Sequence, residues 1–559
     1  MITDLPYVLA YREQQQLFLF DWDYISDTIF QTGGASTLAG RFLVQFFYSP
    51  SAAVLITLLC LGAIGWLHRR QMPAVIAPIL LLFASLADCR LHFDVVPALI
   101  FSSAAFSIWQ NAGKERRMIT GIILTLALFP LAGSAAAIFV LCTLSLPLIA
   151  LYLLVAFAAL QLNLIPAFVF VFSPEFFFDN AQSMPAFHWL FWILMPVSVL
   201  FARFSVRFLQ RKDALIAEGV LALIAIPAAV VLFNNQGRNG AYNVYKYEYY
   251  GVREEWNKLE EITKHRTNYP VTANWHYLAK SHLGTMMDGL MKTRHNGPYD
   301  LFFIPEDKST TSVHPFVLYR MGNMAAAQNV SYNLMSAYCG YNPSMMLMQT
   351  KIELMRGNYD VAEKYLSLLA KSFHYRAWAK RYKAFLHNDT LVEAAPELGC
   401  GRKDLRITMD FTSPAYPMEA LFHIVRGNNE DRAAMEYALA YLLLSKDIIN
   451  VVRFVTEFYG TPALQSLPLC AQEAVCFFTD YQRNRMNEEE FLYLNQDWCL
   501  SHGVEEQTIR RMLQFQEASL RTQGKAPKGF RDTYWYYLMY DNMMMNDKPG
   551  TGDDNKAIY

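Results

Sequence analysis

Charged residues are scarce in this sequence, and neither sign predominates. Only 17% of the 559 residues are Asp, Glu, Lys or Arg, whereas an average soluble chain has about 25%. The 48 basic residues nearly cancel the 49 acidic ones. The net charge therefore points to no partner and gives no reason to expect nucleic acid.

Several motifs that carry chemistry are also missing from the sequence. The eight cysteines include no C-x-x-C pair and no zinc-ligand spacing, so small buried thiols are the simpler interpretation. His265, His276 and His282 lack the i, i+4 spacing of a helical metal pair. No phosphate-binding glycine loop or nucleophile elbow occurs. The sequence thus predicts no metal ligands of these types and leaves any cofactor unknown.

Apolar residues are concentrated between Pro50 and Phe233, and the chain beyond Phe233 has the composition of a soluble helical protein. A membrane span needs about 20 apolar residues. The region between Met118 and Phe172 is nearly continuous and can hold two or three spans. With three spans there, the predicted set has eight members: 50–67, 73–87, 95–110, 118–132, 134–146, 147–172, 185–202 and 214–233.

The distribution of Lys and Arg favours this count of eight. Two, three and four basic residues follow the first, third and seventh stretches, and the alternate loops contain only Arg90. Loops on the cytoplasmic side collect basic residues, so we expect the segments before Pro50 and after Phe233 outside the cytoplasm. This predicts a multi-pass protein of the bacterial inner membrane with a periplasmic C-terminal domain. The first sixteen residues cannot form a span, and we expect a further span upstream of them or, alternatively, a first span inserted with its N-terminus outside.

Three aspartates, Asp21, Asp23 and Asp27, lie within seven residues among aromatic side chains just before the first apolar run. The segment 36–47 follows them with apolar residues at helical spacing, and it is predicted to be an amphipathic helix in the membrane interface, capped by Ser36 or the next residue. Because Asp23 and Asp27 are four residues apart, they can lie together on the solvent-exposed face of a helix. This interpretation stays open beside the one that the following resemblance implies.

An acidic outer loop followed by an interfacial helix resembles the GT-C class of membrane glycosyltransferases, although the span that normally precedes the acidic loop is absent here. The resemblance covers at most residues 17–233. It implies that Asp21 and Asp23 are catalytic, as a general base or as holders of a divalent metal ion, beside a polyprenyl-phosphate sugar. A second outer loop, "DCRLHFD", is implied to join this site, and a guanidinium suits the lipid phosphate. The substrate-binding residues that the resemblance implies are Arg41, Arg90, His92 and Asp94.

The dipeptide Gly-Asn recurs in the second half of the chain at Gly322, Gly357 and Gly427, each time beside a helical run. The separations are one and two periods of 35 residues, close to the 34 residues of the tetratricopeptide repeat. The segment "GNYDVAEKYLSLL" resembles the turn and second helix of that repeat. The copy expected near position 392 is degenerate. Such repeats form concave surfaces that bind peptides or proteins; alternatively, the helices form a packed cap that binds nothing.

The whole chain is similar to a family of uncharacterised multi-spanning proteins of Gram-negative bacteria, most closely across "REQQQLFLF", "GGASTLAGRFLVQFF" and "GNYDVAEKYLSLLAKSFHYRAWAKRY". The predicted fold is all-α: a polytopic membrane domain of about eight spans followed by an extracytoplasmic domain of tetratricopeptide-like repeats. The predicted divisions are residues 1–49 (acidic loop and interfacial helix), 50–233 (spans), 234–540 (repeats) and 541–559 (disordered tail).

Two functions compete on these grounds. The first is a glycosyltransferase of the GT-C type that uses a polyprenyl-phosphate sugar at the periplasmic face. The alternative is a non-enzymatic, membrane-anchored scaffold whose repeats recruit envelope proteins. A transporter ranks third, because the spans carry few charges and show no inverted repeat. Membrane lipids are expected partners in every case, and nucleic acid is not.

Overall fold

The structure is a computed structural model. It describes residues 5–540 apart from the segments 72–73, 179–183, 209–215, 217–218, 221–222, 232–240, 266–268, 293–294, 304–311, 338–341, 409–416, 484–495 and 523–525. The predicted tail, 541–559, lies outside the described residues.

The described part of the chain is helical, and the only paired extended residues in it form an isolated antiparallel bridge between Leu91 and Phe178. The all-α class is therefore as predicted. Contacts divide the chain into two compact units. The first comprises Met1–Lys246, Tyr338–Ser344 and Leu366–Tyr382, and the second comprises Tyr247–Ala337, Met345–Tyr365 and Lys383–Tyr559.

The helices are numbered in chain order, and short 3-10 turns link several of them. Up to residue 208 they are α1 (Leu5–Gln15), α2 (Trp22–Ile29), α3 (Gly34–Val44), α4 (Pro50–Leu67), α5 (Ile76–Ser85), α6 (Val95–Asn111), α7 (Arg117–Ala132), α8 (Ala135–Thr143), α9 (Leu146–Gln161) and α10 (His188–Phe208). From residue 241 they are α11 (Ala241–Val252), α12 (Trp256–Thr263), α13 (Pro270–Leu283), α14 (His314–Arg320), α15 (Met324–Ala337), α16 (Pro343–Arg356), α17 (Tyr359–Ala370), α18 (Arg376–Tyr382), α19 (Asp389–Ala394), α20 (Pro396–Thr408), α21 (Pro417–Gly427), α22 (Arg432–Leu444), α23 (Ile448–Phe458), α24 (Leu469–Arg483), α25 (Gln496–Ser501), α26 (Glu506–Arg521) and α27 (Tyr534–Tyr540).

The prediction of eight membrane spans is wrong. Among the described residues, only α4 is both long and apolar enough to cross a membrane. Helices α5, α8 and α9, which lie in other predicted spans, have 10, 9 and 16 residues, and a span needs about 20. The last predicted span, 214–233, lies partly outside the described residues. The multi-pass inner-membrane location and the periplasmic domain rested on alternating spans, so both predictions are corrected with them.

The apolar runs are broken by turns that composition does not reveal. The nearly continuous run from Met118 to Phe172 folds as α7, α8 and α9, and these helices pack on one another. Gly133, with φ 56°, separates the first two, and Leu144, in the left-handed region with φ 52°, ends the second. An average over the run is insensitive to such turns, because the residues on either side are equally apolar.

Helix α3 differs from the predicted interfacial helix in both its start and its buried face. It begins after Gly33, and the Ser36 hydroxyl lies inside the helix and donates to the Gly33 carbonyl at 2.7 Å. The buried face contains Ser36, Gly40 and Val44, and it packs against α6 and α7. Phe42, expected on the apolar face, is 40% exposed. The small residues are buried because they let α3 approach its neighbours closely.

Helix α1 carries a fully buried arginine into the core of the first unit. Arg12 is 1% exposed. Its guanidinium donates to the carbonyls of Leu86 at 2.8 Å, Asp88 at 2.7 Å and Leu91 at 3.2 Å. A buried cation requires oxygen partners of this kind, so Arg12 fixes the turn that follows α5.

Two more buried polar residues of α1 join it to later segments of the same unit. The Tyr375 hydroxyl donates to the Glu13 carboxylate at 3.0 Å and accepts from the Gln14 amide at 3.0 Å. The Gln14 carbonyl oxygen also accepts the Ser344 N–H at 3.2 Å. These contacts account for the presence of 338–344 and 366–382 in the first unit.

In the second unit, two of the three Gly-Asn sites form the same turn between paired helices. Gly322 and Gly357 have φ of 81° and 82°. In each turn the glycine N–H donates to the carbonyl three residues earlier, and the next N–H donates to the carbonyl five residues earlier. This is the Schellman motif, whose left-handed position favours glycine. Gly427 is instead the last residue of α21, and the tetratricopeptide assignment itself stays a prediction.

Replacing Gly357 with Val should lower the free energy of unfolding by about 1–2 kcal/mol, because a β-branched residue strongly disfavours positive φ. An added Cβ would lie 4.0 Å from its nearest neighbour, in Arg402, so the loss would come from the backbone and not from a clash. Urea unfolding measures it. Gly357→Asn is the control and should lose less, since Asn tolerates this region. Equal losses for the two variants would contradict the turn.

Replacing Arg12 with Met should loosen the turn after α5, because three buried carbonyls lose a charged donor, at about 3 kcal/mol in total or more. The His92 N–H, which donates to the Phe177 carbonyl at 2.8 Å, should exchange with deuterium at least tenfold faster. Arg116→Met is the matched control, since Arg116 is exposed. Unchanged exchange in Arg12→Met would show that the turn does not depend on the guanidinium.

Candidate functional site

The two aspartates predicted to be catalytic have different surroundings in the first unit. Asp21 directly precedes α2, and its carboxylate lies 2.9 Å from the Lys371 ammonium. Asp23 and Asp27 are exposed on α2. This exposure agrees with the alternative interpretation of Asp23 and Asp27 as the wet face of a helix.

Two of the predicted substrate-binding residues lie at contacts between α3 and its neighbouring helices. Arg41 Nη1 donates to the Tyr24 hydroxyl at 3.3 Å. Asp94 is 3% exposed, and a Cβ placed on Gly40 would lie 2.2 Å from its Oδ1. The Asp94 carboxylate therefore fills the space that the glycine leaves. Arg41 therefore joins α3 to α2, and Asp94 lies where α3 packs against α6.

The loop "DCRLHFD" is held in place by hydrogen bonds and ion pairs around Asp88. Arg90 donates to the Asp88 carboxylate through Nε at 3.0 Å and Nη2 at 2.9 Å, and His188 Nε2 lies 3.1 Å from Asp88 Oδ2. Burial alone would raise the pKa of Asp88, but the hydrogen bonds from His188 and Arg90 hold it well below its usual range. The His92 N–H is used by the Phe177 carbonyl. The guanidinium predicted for a lipid phosphate is thus already engaged by a carboxylate.

These positions and the helix lengths of the described residues remove the multi-span architecture on which the glycosyltransferase prediction rested; the activity itself stays a prediction. That prediction required several spans around an acidic mouth, and among the described residues only α4 has the necessary length. His188, which completes the Asp88 cluster, was missed from the sequence. Its signal was a lone polar residue in the apolar segment "PAFHWLFW".

A groove of about 870 Å³ lies in the second unit. Its lining comes from α15, α16 and the middle of α17, and from α19 and α20 further along the chain. Side chains one turn apart on each helix face it, as helical geometry requires. The polar and charged side chains of the lining are Gln328, Asn329, Tyr332, Gln349, Glu353, Arg356, Tyr365, Asp389, Arg402 and Arg406.

Hydrogen bonds between α15 and α16 make the groove's polar wall. The Gln349 amide donates to the Gln328 carbonyl at 2.9 Å and to the Ser331 hydroxyl at 2.8 Å. The buried Glu353 carboxylate accepts from the Gln328 amide at 2.5 Å and from the Asn358 amide at 2.7 Å. This wall is preorganised, since each buried polar group in it has a partner from the neighbouring helix or turn.

Arg402 forms the opposite side of the groove and is held from several directions. Its side chain is 8% exposed. It donates to the Met355 carbonyl at 2.9 Å and to the Asp389 carboxylate at 2.7 Å, and it lies 3.3 Å from the Glu393 carboxylate. Arg402 therefore joins α20 to the end of α16 and to α19.

Three groove side chains keep polar atoms without a partner in the described part of the chain. They are the exposed Arg356 guanidinium and the hydroxyls of Tyr332 and Tyr365. Burial, followed by the charge of Glu353 and the neighbouring Tyr332, raises the pKa of Tyr365, so its hydroxyl stays a donor. These donors are available to a bound molecule.

A second cluster of titratable groups lies where α20 meets the turn before α22. The ligand atoms of Cys400, Asp404 and Asp431 lie within 4.8 Å of one another, although no metal-ligand spacing marks these residues in the sequence. Two carboxylates and a thiol can hold a divalent cation. Burial, with the two aspartates, raises the pKa of Cys400 to about 12, so in this form the thiol supplies no thiolate.

Hydrogen bonds within the structure already occupy this cluster. The Asn428 amide donates to Asp404 at 2.6 Å. Asp431 Oδ1 accepts the N–H groups of Ala433 at 2.8 Å and Ala434 at 3.1 Å, which caps α22. Burial and the adjacent Asp431 raise the pKa of Asp404 to about 8. Asp404 therefore keeps a proton at neutral pH.

Comparison with known proteins gives a family and no activity. A family model described as a family of unknown function, DUF6057, matches residues 1–541. The chain belongs to this family. Comparison with curated proteins and with solved structures found no match.

The protonated Asp404 predicts that stability falls as pH rises. Because its pKa is about 8 in the folded state and near 4 when unfolded, the folded state binds more protons between these values, and each pH unit costs up to about 1.4 kcal/mol. Asp404→Asn, which keeps a donor towards Asp431, should remove this loss. Urea midpoints at pH 5, 6 and 7 measure it. Parallel pH profiles for the two proteins would contradict the assignment.

Proposed function

We propose that this protein is a binding scaffold whose groove in the second unit takes up an extended segment of a partner protein. The observation that carries the proposal is the groove itself, with a preorganised polar wall and donors left without internal partners. Its volume of about 870 Å³ lies in the range of specific ligand sites, about 300–1,000 Å³.

The chemistry of the lining favours polypeptide as the occupant. The oxygen of the exposed Asn329 amide accepts from the Asn333 amide at 3.1 Å, and the NH2 group and the second lone pair of that oxygen face the groove's ligand. These groups suit the alternating C=O and N–H groups of an extended main chain. Tyr332, 58% exposed, adds a large amphipathic contact surface of the kind that concentrates at interfaces. Stacked helix pairs generally use such concave surfaces for binding.

No described cluster in either unit supports an enzyme equally well. The predicted catalytic Asp21 is paired with Lys371, and Asp23 is exposed without a partner among the described residues. The Cys400 cluster is buried and hydrogen-bonded internally. The scaffold interpretation requires no reacting group and uses only the side chains that the groove presents.

Selection from a displayed library of random 12-residue peptides against the full chain tests the proposal. We expect peptides whose affinity falls at least tenfold with Asn329→Trp, because the indole fills the groove. Asn450→Trp is the matched control, on α23, exposed and outside the groove lining. It should bind as the wild type does. A library that yields no binders, or binders that tolerate Asn329→Trp, would contradict the proposal.

A further inference from the structure

The charges of the groove are not equally available to a ligand. Both lining carboxylates are committed: Glu353 accepts from Gln328 and Asn358, and Asp389 accepts from Arg402 at 2.7 Å and from the Tyr359 hydroxyl at 2.6 Å. The two bonds to Glu353 use both of its oxygens, and the residue is 5% exposed. The two bonds to Asp389 fall on Oδ1 alone, and its charge is balanced by the ion pair with Arg402.

The arginines differ from the carboxylates in this respect. Arg402 is committed to the protein, but Arg356 is exposed and has no ion pair in the described part of the chain. Arg406, 69% exposed, has only a long contact of 3.7 Å with Glu393. The lining contains three arginines and two carboxylates, so its net charge is positive and is carried by guanidinium groups, which only donate hydrogen bonds.

The uncommitted hydroxyls lie close to the same place. Tyr365 is close enough to Glu353 and Tyr332 for their charges to affect its pKa. Arg356 lies one turn after Glu353 on α16 and lines the same groove. Since Glu353 is already satisfied by two amides, the phenols are free to donate to a ligand. A guanidinium with adjacent phenols provides the short, directional donors that bind a carboxylate.

We propose that the segment bound in the groove carries an acidic side chain, Asp or Glu, whose carboxylate pairs with Arg356 and accepts from the neighbouring tyrosines. This inference rests on the proposed binding function and names its ligand chemistry. The rest of the segment lies along α15, where the Asn329 amide meets its main chain. Arg402 positions α19 and α20 and does not contact the carboxylate.

Two defined peptide libraries test the charge requirement with the full chain. One omits Asp and Glu, and the other omits Lys and Arg. Binders that depend on the groove should come from the library that retains the acidic residues. Arg356→Glu should reverse the preference, so that its binders come from the library that retains Lys and Arg. Arg453→Glu, an exposed arginine on α23, makes the same charge change elsewhere and should keep the wild-type preference.

A mutant cycle then assigns the contact. Arg356→Gln and the change of the peptide's acid to its amide should each weaken binding about tenfold, and together they should cost little more than either alone. Phosphoserine at the same peptide position distinguishes the other oxyanion. A more than tenfold preference for phosphoserine over glutamate would overturn the carboxylate assignment.

The outcomes separate this inference from the function beneath it. If no peptide binds in a way that Asn329→Trp abolishes, the binding function fails. If such peptides exist but lack acidic residues, or ignore Arg356→Gln, only the acidic ligand is excluded. Additive effects in the cycle would likewise show that Arg356 does not touch the carboxylate.

Discussion

A guanidinium buried away from water governs the arrangement of the first unit. Arg12 has its charge in the protein core, and three backbone carbonyls from the turn after α5 surround it. Leaving such a charge without oxygens would cost far more than one domain's net stability allows. The turn and α1 must therefore form together. The same turn places Asp88 where Arg90 and His188 reach it, so one buried cation organises a second ionic cluster.

The features that follow from local chemistry were predictable, and those that depend on distant segments were not. Helix α4 has the predicted bounds because a proline begins it and an unbroken apolar run continues it. The turns at Gly322 and Gly357 follow from glycine's access to positive φ. Hydropathy could not reveal that α7, α8 and α9 are short helices packed on each other. Nor could it show that the small residues of α3 face inward, since that depends on the neighbouring helices.

The groove illustrates the same limit from the side of function. The sequence indicated a binding surface through the spacing of Gly-Asn pairs, but the residues that define its chemistry are far apart in the chain. Arg402 reaches Met355 and Asp389 across 47 and 13 positions. The segment near position 392, which matched the repeat least well, supplies α19 and one side of the groove. A departure from the repeat pattern was therefore informative, because it marked the segment that supplies Asp389 to the groove lining.

The carboxyl group of Asp404 makes folding of the second unit a proton-consuming process near neutral pH. The unfolded chain carries this group ionised, and the folded chain takes a proton from the solvent to place it beside Asp431. The proton released on unfolding is taken up by the buffer, so calorimetric heats of unfolding at pH 7 contain the buffer's protonation enthalpy. Heats measured in Tris and in phosphate therefore differ in proportion to the difference between the protonation enthalpies of the two buffers. Because this turn buries Asp404 beside Asp431, the measured heat of unfolding depends on the buffer as well as on the protein.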